Sequence, residues 1–252
     1  MSRSALVTGA AGGLGRHVCE RLDAMGARVI GVDVAGADID ADLSTANGRE
    51  AAVTSALRDA APFQHVVLAA GLGPTHPDAA TIVSVNYFGA WDVFERVLDA
   101  GAFDAGASVV FVASNSATID PTVDASLVDA CVEGDETAAR RIAGDLPGNT
   151  VYASSKLALI RSGRAFAGSL RNPRLNLVAP GPFESPLLEA SRADPTFGPL
   201  IESLPVPLGS VGSPGDIADA IEFLISERAA YIHGSVLFVD GGTDALLRPE
   251  GI

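Results

Sequence analysis

The sequence predicts an α/β domain with a doubly wound parallel sheet between two helical layers, three layers in all. Three observations predict it. A short apolar strand runs directly into a glycine-rich turn and a helix within residues 4–26, further apolar runs alternate with helical patterns, and 252 residues suffice for one sizeable domain but not two. A composition of 48% apolar and 6% aromatic residues suits an aliphatic core rich in alanine and valine.

The first unit is the most legible. Ser4-Ala-Leu-Val-Thr8 reads as a buried strand, Gly9 to Gly15 as a turn, and Val18, Leu22 and Met25 as the apolar stripe of a helix that stops at Gly26. Arg28–Asp33 is the next strand, closing a βαβ unit of about 30 residues. The turn needs Gly9, Gly13 and Gly15, around Leu14, because a backbone without Cβ can bend tightly and approach a pyrophosphate. The helix N-terminus then aims its N–H groups at that negative charge. Asp33 ends the second strand, where a carboxylate accepts hydrogen bonds from a ribose 2′-hydroxyl and repels a 2′-phosphate. The expected cofactor is therefore NAD rather than NADP.

Four more strands are expected, at His65–Ala70, Ala107–Ala113, Arg174–Ala179 and Ser235–Asp240. Ligands gather beyond the carboxyl ends of such strands, which singles out Gly71, Ser114, Pro180 and Gly181. Tyr152 and Lys156 lie four residues apart in a helical pattern, so both face the same way. An ammonium beside a phenol favours the phenolate, and the pair suits general acid–base work.

Other classes are disfavoured. A net charge of −14 opposes binding to nucleic acid and to anionic membranes, and no run of 18 apolar residues occurs. The first strand starts near Met1, leaving no room for a signal peptide, so a cytoplasmic location is expected. Cys19 and Cys131 make no disulfide framework, and His17, His65, His76 and His233 show no metal-box spacing; no metal is expected.

With these motifs in view, the chain resembles the short-chain dehydrogenase/reductase family over nearly its whole length. Thr8-Gly9-Ala-Ala-Gly-Gly13-Leu14-Gly15 matches the family's Thr-Gly-x-x-x-Gly-x-Gly, and Tyr152 and Lys156 match its Tyr-x-x-x-Lys. The resemblance implies a Rossmann-type fold. It assigns Asn86 as the helix asparagine that holds a water linking the lysine to solvent, and Ser114 as the catalytic serine. Asp42 and Leu43 become the adenine-contacting pair, with Ala70 and Gly71 along the adenosine half. Pro180-Gly181 becomes the turn beside the nicotinamide, and Ser185 replaces a threonine that meets the carboxamide. Ala41-Asp-Leu-Ser-Thr45, Ala70-Gly-Leu-Gly-Pro74, Val83–Ala90 and His233-Gly with Asp240–Ala245 are most similar to the bacterial hydroxysteroid dehydrogenase/carbonyl reductase subgroup. That subgroup implies NAD(H)-linked oxidation of a ring hydroxyl and reduction of ketones, with a small apolar alcohol or ketone as substrate. Family members associate, so a homo-oligomer, dimer or tetramer, is expected, with the apolar last strand and Leu246-Leu247 contributing.

Removing hydride from a secondary alcohol leaves a carbonyl only if the hydroxyl proton leaves too. Tyr152 is the expected base, Ser114 the group that orients the reacting oxygen, and Lys156 the charge that lowers the phenol pKa and bonds the nicotinamide ribose. Ser116 is the rival serine; Ser114 is favoured because it follows the strand immediately. A smaller cyclic, terpenoid or aromatic alcohol is the alternative substrate, and a non-catalytic NAD-binding protein the third reading.

The chain departs from the family pattern in two places. Ala69-Ala70-Gly71 lacks the usual strand-end asparagine, and 38 positions separate Ser114 from Tyr152, far more than in most relatives. An insertion at about 117–150 is expected to form a helical excursion above the active site, with Glu136 and Arg140 paired at i,i+4. It would shape a pocket, cover a cleft or form a subunit contact. Prolines 186, 195, 199, 205 and 207 among apolar residues in 183–210 suggest a mobile lid with no long helix.

Overall fold

Period-two alternation along the apolar runs decides which side chain goes to which face of the sheet. The computed structural model describes residues 3–251, and among these the strands are β1 (Arg3–Thr8), β2 (Ala27–Asp33), β3 (Ile39–Asp40), β4 (Phe63–Leu68), β5 (Phe103–Val112), β6 (Arg174–Pro180) and β7 (Val236–Val239). All pair in parallel in the order β3-β2-β1-β4-β5-β6-β7. The chain starts in the middle, winds out to β3, and returns to β4 on the other side of β1. This reversal opens a crevice between the carboxyl ends of β1 and β4.

The helices follow in chain order. They are α1 (Gly13–Ala24), α2 (Ala46–Ala60), α3 (Ala79–Val83), a π-helical turn (Ser84–Gly89), α4 (Ala90–Asp99), α5 (Ser116–Ile119), α6 (Ala125–Val132), α7 (Glu136–Gly144), α8 (Gly148–Ala167), α9 (Pro186–Ala193), α10 (Gly198–Ser203), α11 (Pro214–Ile225) and α12 (Thr243–Leu247). Ala5, Val7, Val67, Val110, Val112 and Val178 meet α1 and α11 on one face. Leu6, Val66, Leu68, Val109, Phe111, Leu175 and Leu177 meet α2, α4 and α8 on the other. Most aromatic packing lies on this second face, where Phe94 touches Trp91, Phe111 and Phe166 at centroid distances of 5.5 Å. As expected, α1 stops where Gly26 takes φ 78°.

Several expectations need correction. β3 has two residues and no apolar run to announce it. β4 leaves the ladder at Leu68, so Ala69 and Ala70 already belong to the crevice rim. β5 begins at Phe103, through a register shift opposite Phe63 and His65 that an alternation pattern does not reveal. The segment 183–210 holds no long helix, as expected; it contains two short ones, α9 and α10, since Pro186 and Pro199 fall in their first turns, where a missing N–H costs nothing.

The insertion is helical, as expected. Its α6–α7 hairpin packs against α3 and α8 and buries Leu127, Val128, Cys131, Ala139 and Ala143. Glu136 and Arg140 share a face of α7, but that face points inward. Glu136 takes a two-pronged bond from Arg49 at 2.7 and 2.8 Å, and Arg140 donates to the Ser84 hydroxyl at 2.6 Å. Spacing alone predicted the shared face, not what covers it.

His65, buried at the amino end of β4, binds the Ser108 hydroxyl through Nδ1 at 2.9 Å, while Nε2 has no partner among the described residues. Burial, with the charges of Arg3 and Arg174, pushes its pKa down to about 4. The folded state thus needs the neutral ring, and its stabilising share is full above the unfolded value near 6.5 and falls as pH drops toward 4. Between pH 7 and pH 5 this group should remove about 2 kcal/mol of stability. Urea unfolding of the wild type and His65→Leu at both pH values checks it: equal pH slopes in the two proteins would refute the assignment.

Candidate active site

The floor of the crevice is built where side chains are excluded. Gly9 takes φ 72°, and a Cβ there would stand 2.8 Å from the backbone of Ala70; a Cβ on Gly15 would stand 1.9 Å from the Gly9 carbonyl oxygen. The turn is closed by its own backbone, so glycine is compulsory at both positions. The Thr8 hydroxyl accepts a bond from the Ala70 N–H at 3.2 Å, tying β1 to the segment after β4. Gly13 and Leu14 open α1, whose N-terminal N–H groups face the crevice.

At the rim, Asp33 accepts from the Ala11 N–H at 2.9 Å and the Val34 N–H at 2.7 Å, which fixes its carboxylate beside the turn. Asp42 accepts from the Ser44 N–H at 2.9 Å, so its carboxylate shapes the local turn, and Leu43 is buried. Bare glycine turn, helix N-terminus and strand-end carboxylate together fit a dinucleotide.

Asn86 lies in the π-helical turn, a widened coil that often marks functional positions. Its Oδ1 accepts from the Leu72 N–H at 2.7 Å and its Nδ2 donates to the Leu72 carbonyl at 3.0 Å, so both ends of the amide clamp the loop after β4. A Cβ at Gly71 would stand 3.3 Å from Asn86 Oδ1 and 3.5 Å from Lys156 Nζ. The bare glycine leaves both polar groups facing one small space.

Ser114 follows β5 and is 8% exposed. It lies close enough to Tyr152 to pull the phenol's pKa down, and its hydroxyl accepts from the Ser116 hydroxyl at 3.0 Å. Ser116 therefore stands behind Ser114, one step from the tyrosine. Tyr152 and Lys156 share a face of α8, with Nζ 5.9 Å from the ring centroid. Nζ donates to the Val112 carbonyl at 2.8 Å, anchoring α8 to the end of β5.

The electrostatics correct one expectation. Burial raises the Tyr152 pKa, only partly offset by the Ser114 bond, and burial pushes Lys156 down to about 8. The ammonium sits over the ring face and turns to a carbonyl, so in the protein alone desolvation outweighs its pull on the phenol and favours the neutral form of each group.

Pro180 ends β6, and a Cβ on Gly181 would strike Asp240 at 2.6 Å. Asp240 was not anticipated as a site residue. It accepts from Asn115 Nδ2 at 3.3 Å and from the Asp244 N–H at 2.7 Å, and Asp244 in turn accepts from Thr118 at 2.5 Å and from Arg248 at 2.9 Å. The segment after β7 thus braces the turn that carries Ser114. The only hint in the sequence was an acidic strand end before two glycines. Ser185 caps α9, accepting from the Leu188 N–H at 3.2 Å and donating to the Phe183 carbonyl at 3.2 Å. Pro186 and Leu187 then lie over the crevice: a Cβ on Gly13 would be 3.5 Å from Pro186 Cδ, and one on Gly73 2.7 Å from Leu187 Cγ.

Residues 5–183 match the NAD dependent epimerase/dehydratase family, and residues 136–244 the enoyl-(acyl carrier protein) reductase family. A 3-alpha-hydroxysteroid dehydrogenase/carbonyl reductase of Comamonas testosteroni is 39% identical over 97% of each chain. The chain belongs to the short-chain dehydrogenase/reductase family. It is an NAD-linked oxidoreductase of that family. Among solved short-chain dehydrogenase/reductase structures, the 3-alpha-hydroxysteroid dehydrogenase of Pseudomonas sp. B-0831, complexed with NADH, superposes with a TM-score of 0.94 at 39% identity, covering 99% of this chain and 100% of that one. A Brucella melitensis member described as a glucose/ribitol dehydrogenase gives 0.73 at 25% identity, with 96% of both chains covered. Among the described residues, no helix is long and apolar enough to cross a membrane.

The glycine turn carries a direct test. A methyl at position 15 meets backbone and has no rotamer to escape into, a cost of about 1–3 kcal/mol. Gly15→Ala should lower the melting temperature by about 2–10 °C in calorimetry, and an unchanged Tm would contradict the close approach.

Proposed function

We propose that the chain interconverts a secondary alcohol and a ketone on a hydroxysteroid or similar cyclic substrate, with Tyr152 as general acid–base. The observation that carries this reading is the shared face of Tyr152 and Lys156 on α8, with Nζ 5.9 Å from the ring and held by the Val112 carbonyl, beside the Ser114 side chain that pulls the phenol's pKa down. When bound, the nicotinamide supplies the hydride acceptor or donor. Tyr152 takes the hydroxyl proton in oxidation and returns it in reduction, while Ser114 holds the reacting oxygen. Lys156, Asn86 and Gly71 line the space through which that proton continues. The glycine turn, Asp33, Asp42, Leu43, Ala70, Pro180, Gly181 and Ser185 hold the cofactor in the same reading, and Leu187 and Leu200, apolar and exposed on the lid, suit an apolar ring system. The names of the two 39% identical relatives support the steroid class.

The proposal extends to assembly and location. Leu208, Leu246 and Leu247 stay exposed near the half-buried edge strand β7, which supports a homo-oligomer built on that edge. The acidic chain suits the cytoplasm, where this reading places it.

NAD⁺ mixed with 3α- and 3β-hydroxysteroids and smaller cyclic alcohols, followed by NADH absorbance, tests the substrate. Turnover confined to the smaller alcohols would move the substrate and keep the chemistry. Tyr152→Phe should cut kcat by about 10²–10⁴ while NADH still binds. Ser114→Ala should fall in the same direction and Ser116→Ala far less; the reverse order would exchange their roles. Asp33 should make NAD the preferred cofactor over NADP, and Asp33→Ala should narrow that ratio at least tenfold; comparable kcat/KM for both cofactors in the wild type would refute the carboxylate argument.

A further inference from the structure

Arg49, in the first turn of α2, is 2% exposed. Its Nε donates to the Leu43 carbonyl at 2.8 Å, and its Nη2 to the Ser44 and Ser84 carbonyls at 3.2 Å each. Nη1 donates to Glu136 Oε2 at 2.8 Å, and Nη2, shared with the two serine carbonyls, donates to Oε1 at 2.7 Å. Leu43 belongs to the rim on which the adenosine half is placed, and Ser84 opens the π-helical turn two residues before Asn86. Glu136 comes from the insertion.

A second contact places the same parts together. A Cβ on Gly89 would stand 3.1 Å from the Leu43 carbonyl oxygen and 3.3 Å from that of Ser84, so the rim and the π-helical turn touch where Arg49 bonds both. Arg140, one turn along from Glu136, takes the Ser84 hydroxyl at 2.6 Å and the Ala80 carbonyl at 3.3 Å. Both charged side chains of this α7 face thus converge on the start of the turn that carries Asn86.

Most ion pairs among the described residues lie near the surface, as Arg3–Glu227 and Arg58–Asp59 do. Burying an arginine and a glutamate is costly, and a well-packed apolar pair often stabilises a core as much. An apolar pair cannot hold carbonyls from three residues in fixed register; a planar fork can.

We infer that Arg49 is a positioning residue that sets the adenosine rim and the Asn86 turn relative to one another, and that the insertion serves the site by supplying Glu136 to hold it. This rests on the NAD-binding reading above. The insertion is then a brace whose effect is felt at the cofactor.

Three variants separate this role from simple stabilisation: Arg49→Lys, Glu136→Gln, and the double variant Arg49→Met/Glu136→Leu. Each is measured for melting temperature, NADH affinity by fluorescence at a temperature where circular dichroism shows it folded, and KM for NAD and for the alcohol. Arg49→Lys keeps the charge but loses the fork, and should raise KM for NAD and Kd for NADH about tenfold while KM for the alcohol stays within twofold. The double variant removes the buried charges; its Tm should recover toward wild type while NADH affinity stays weakened. Recovery of Tm and NADH affinity together, or single variants that lose Tm with unchanged NADH affinity, would overturn the inference. Wild-type protein that binds no NADH would instead overturn the reading on which it rests, and Asp33→Ala serves as a cofactor-site variant in the same assay.

Discussion

The bond from Lys156 to the Val112 carbonyl is the constraint on which the site depends. A buried ammonium without a carboxylate is expensive, and here its fixed partner is a backbone oxygen at the last residue of β5. That bond sets the height of α8 against the sheet. With α8 fixed, Tyr152 comes beside Ser114, two residues past the end of β5, and Lys156 reaches the space beside Gly71 and Asn86. A helix slid by one residue would rotate both side chains off the crevice by about 100°.

Around this anchor the layers divide the labour. The face packed by α1 and α11 is aliphatic and supports the glycine turn, while the face packed by α2, α4 and α8 carries the aromatic cluster and, at its margin, the insertion. The crevice between β1 and β4 follows from the winding order alone, because consecutive units leave β1 in opposite directions. What the winding does not supply is precision at the rim. That comes from polar contacts between distant segments: Thr8 with Ala70, Asn86 with Leu72, and Asp240 with Asn115.

Much of this was legible in the sequence, for identifiable reasons. β1, α1 and β2 could be read because strand alternation, helical period and glycine chemistry each leave a local trace, and Tyr152 and Lys156 because one helical turn relates them. The residues that escaped notice act through contacts with no local trace. Asp240 meets Asn115 across 125 positions and Arg49 meets Glu136 across 87. The Glu136–Arg140 spacing shows the limit well: periodicity tells which side chains look the same way and not whether they see water or Ser84. The phenol pKa was misjudged likewise, since a neighbouring charge is visible in sequence and burial is not.

The glycines of the crevice are confined in two different ways. At positions 9 and 15 an added methyl meets backbone, which cannot yield; at position 73 it meets the side chain of Leu187, which can turn aside. Heritable change can therefore enter this protein through its roof far more readily than through its floor. Descendants of such a chain would be free to explore new substrates while inheriting, almost untouched, the coenzyme with which they handle them.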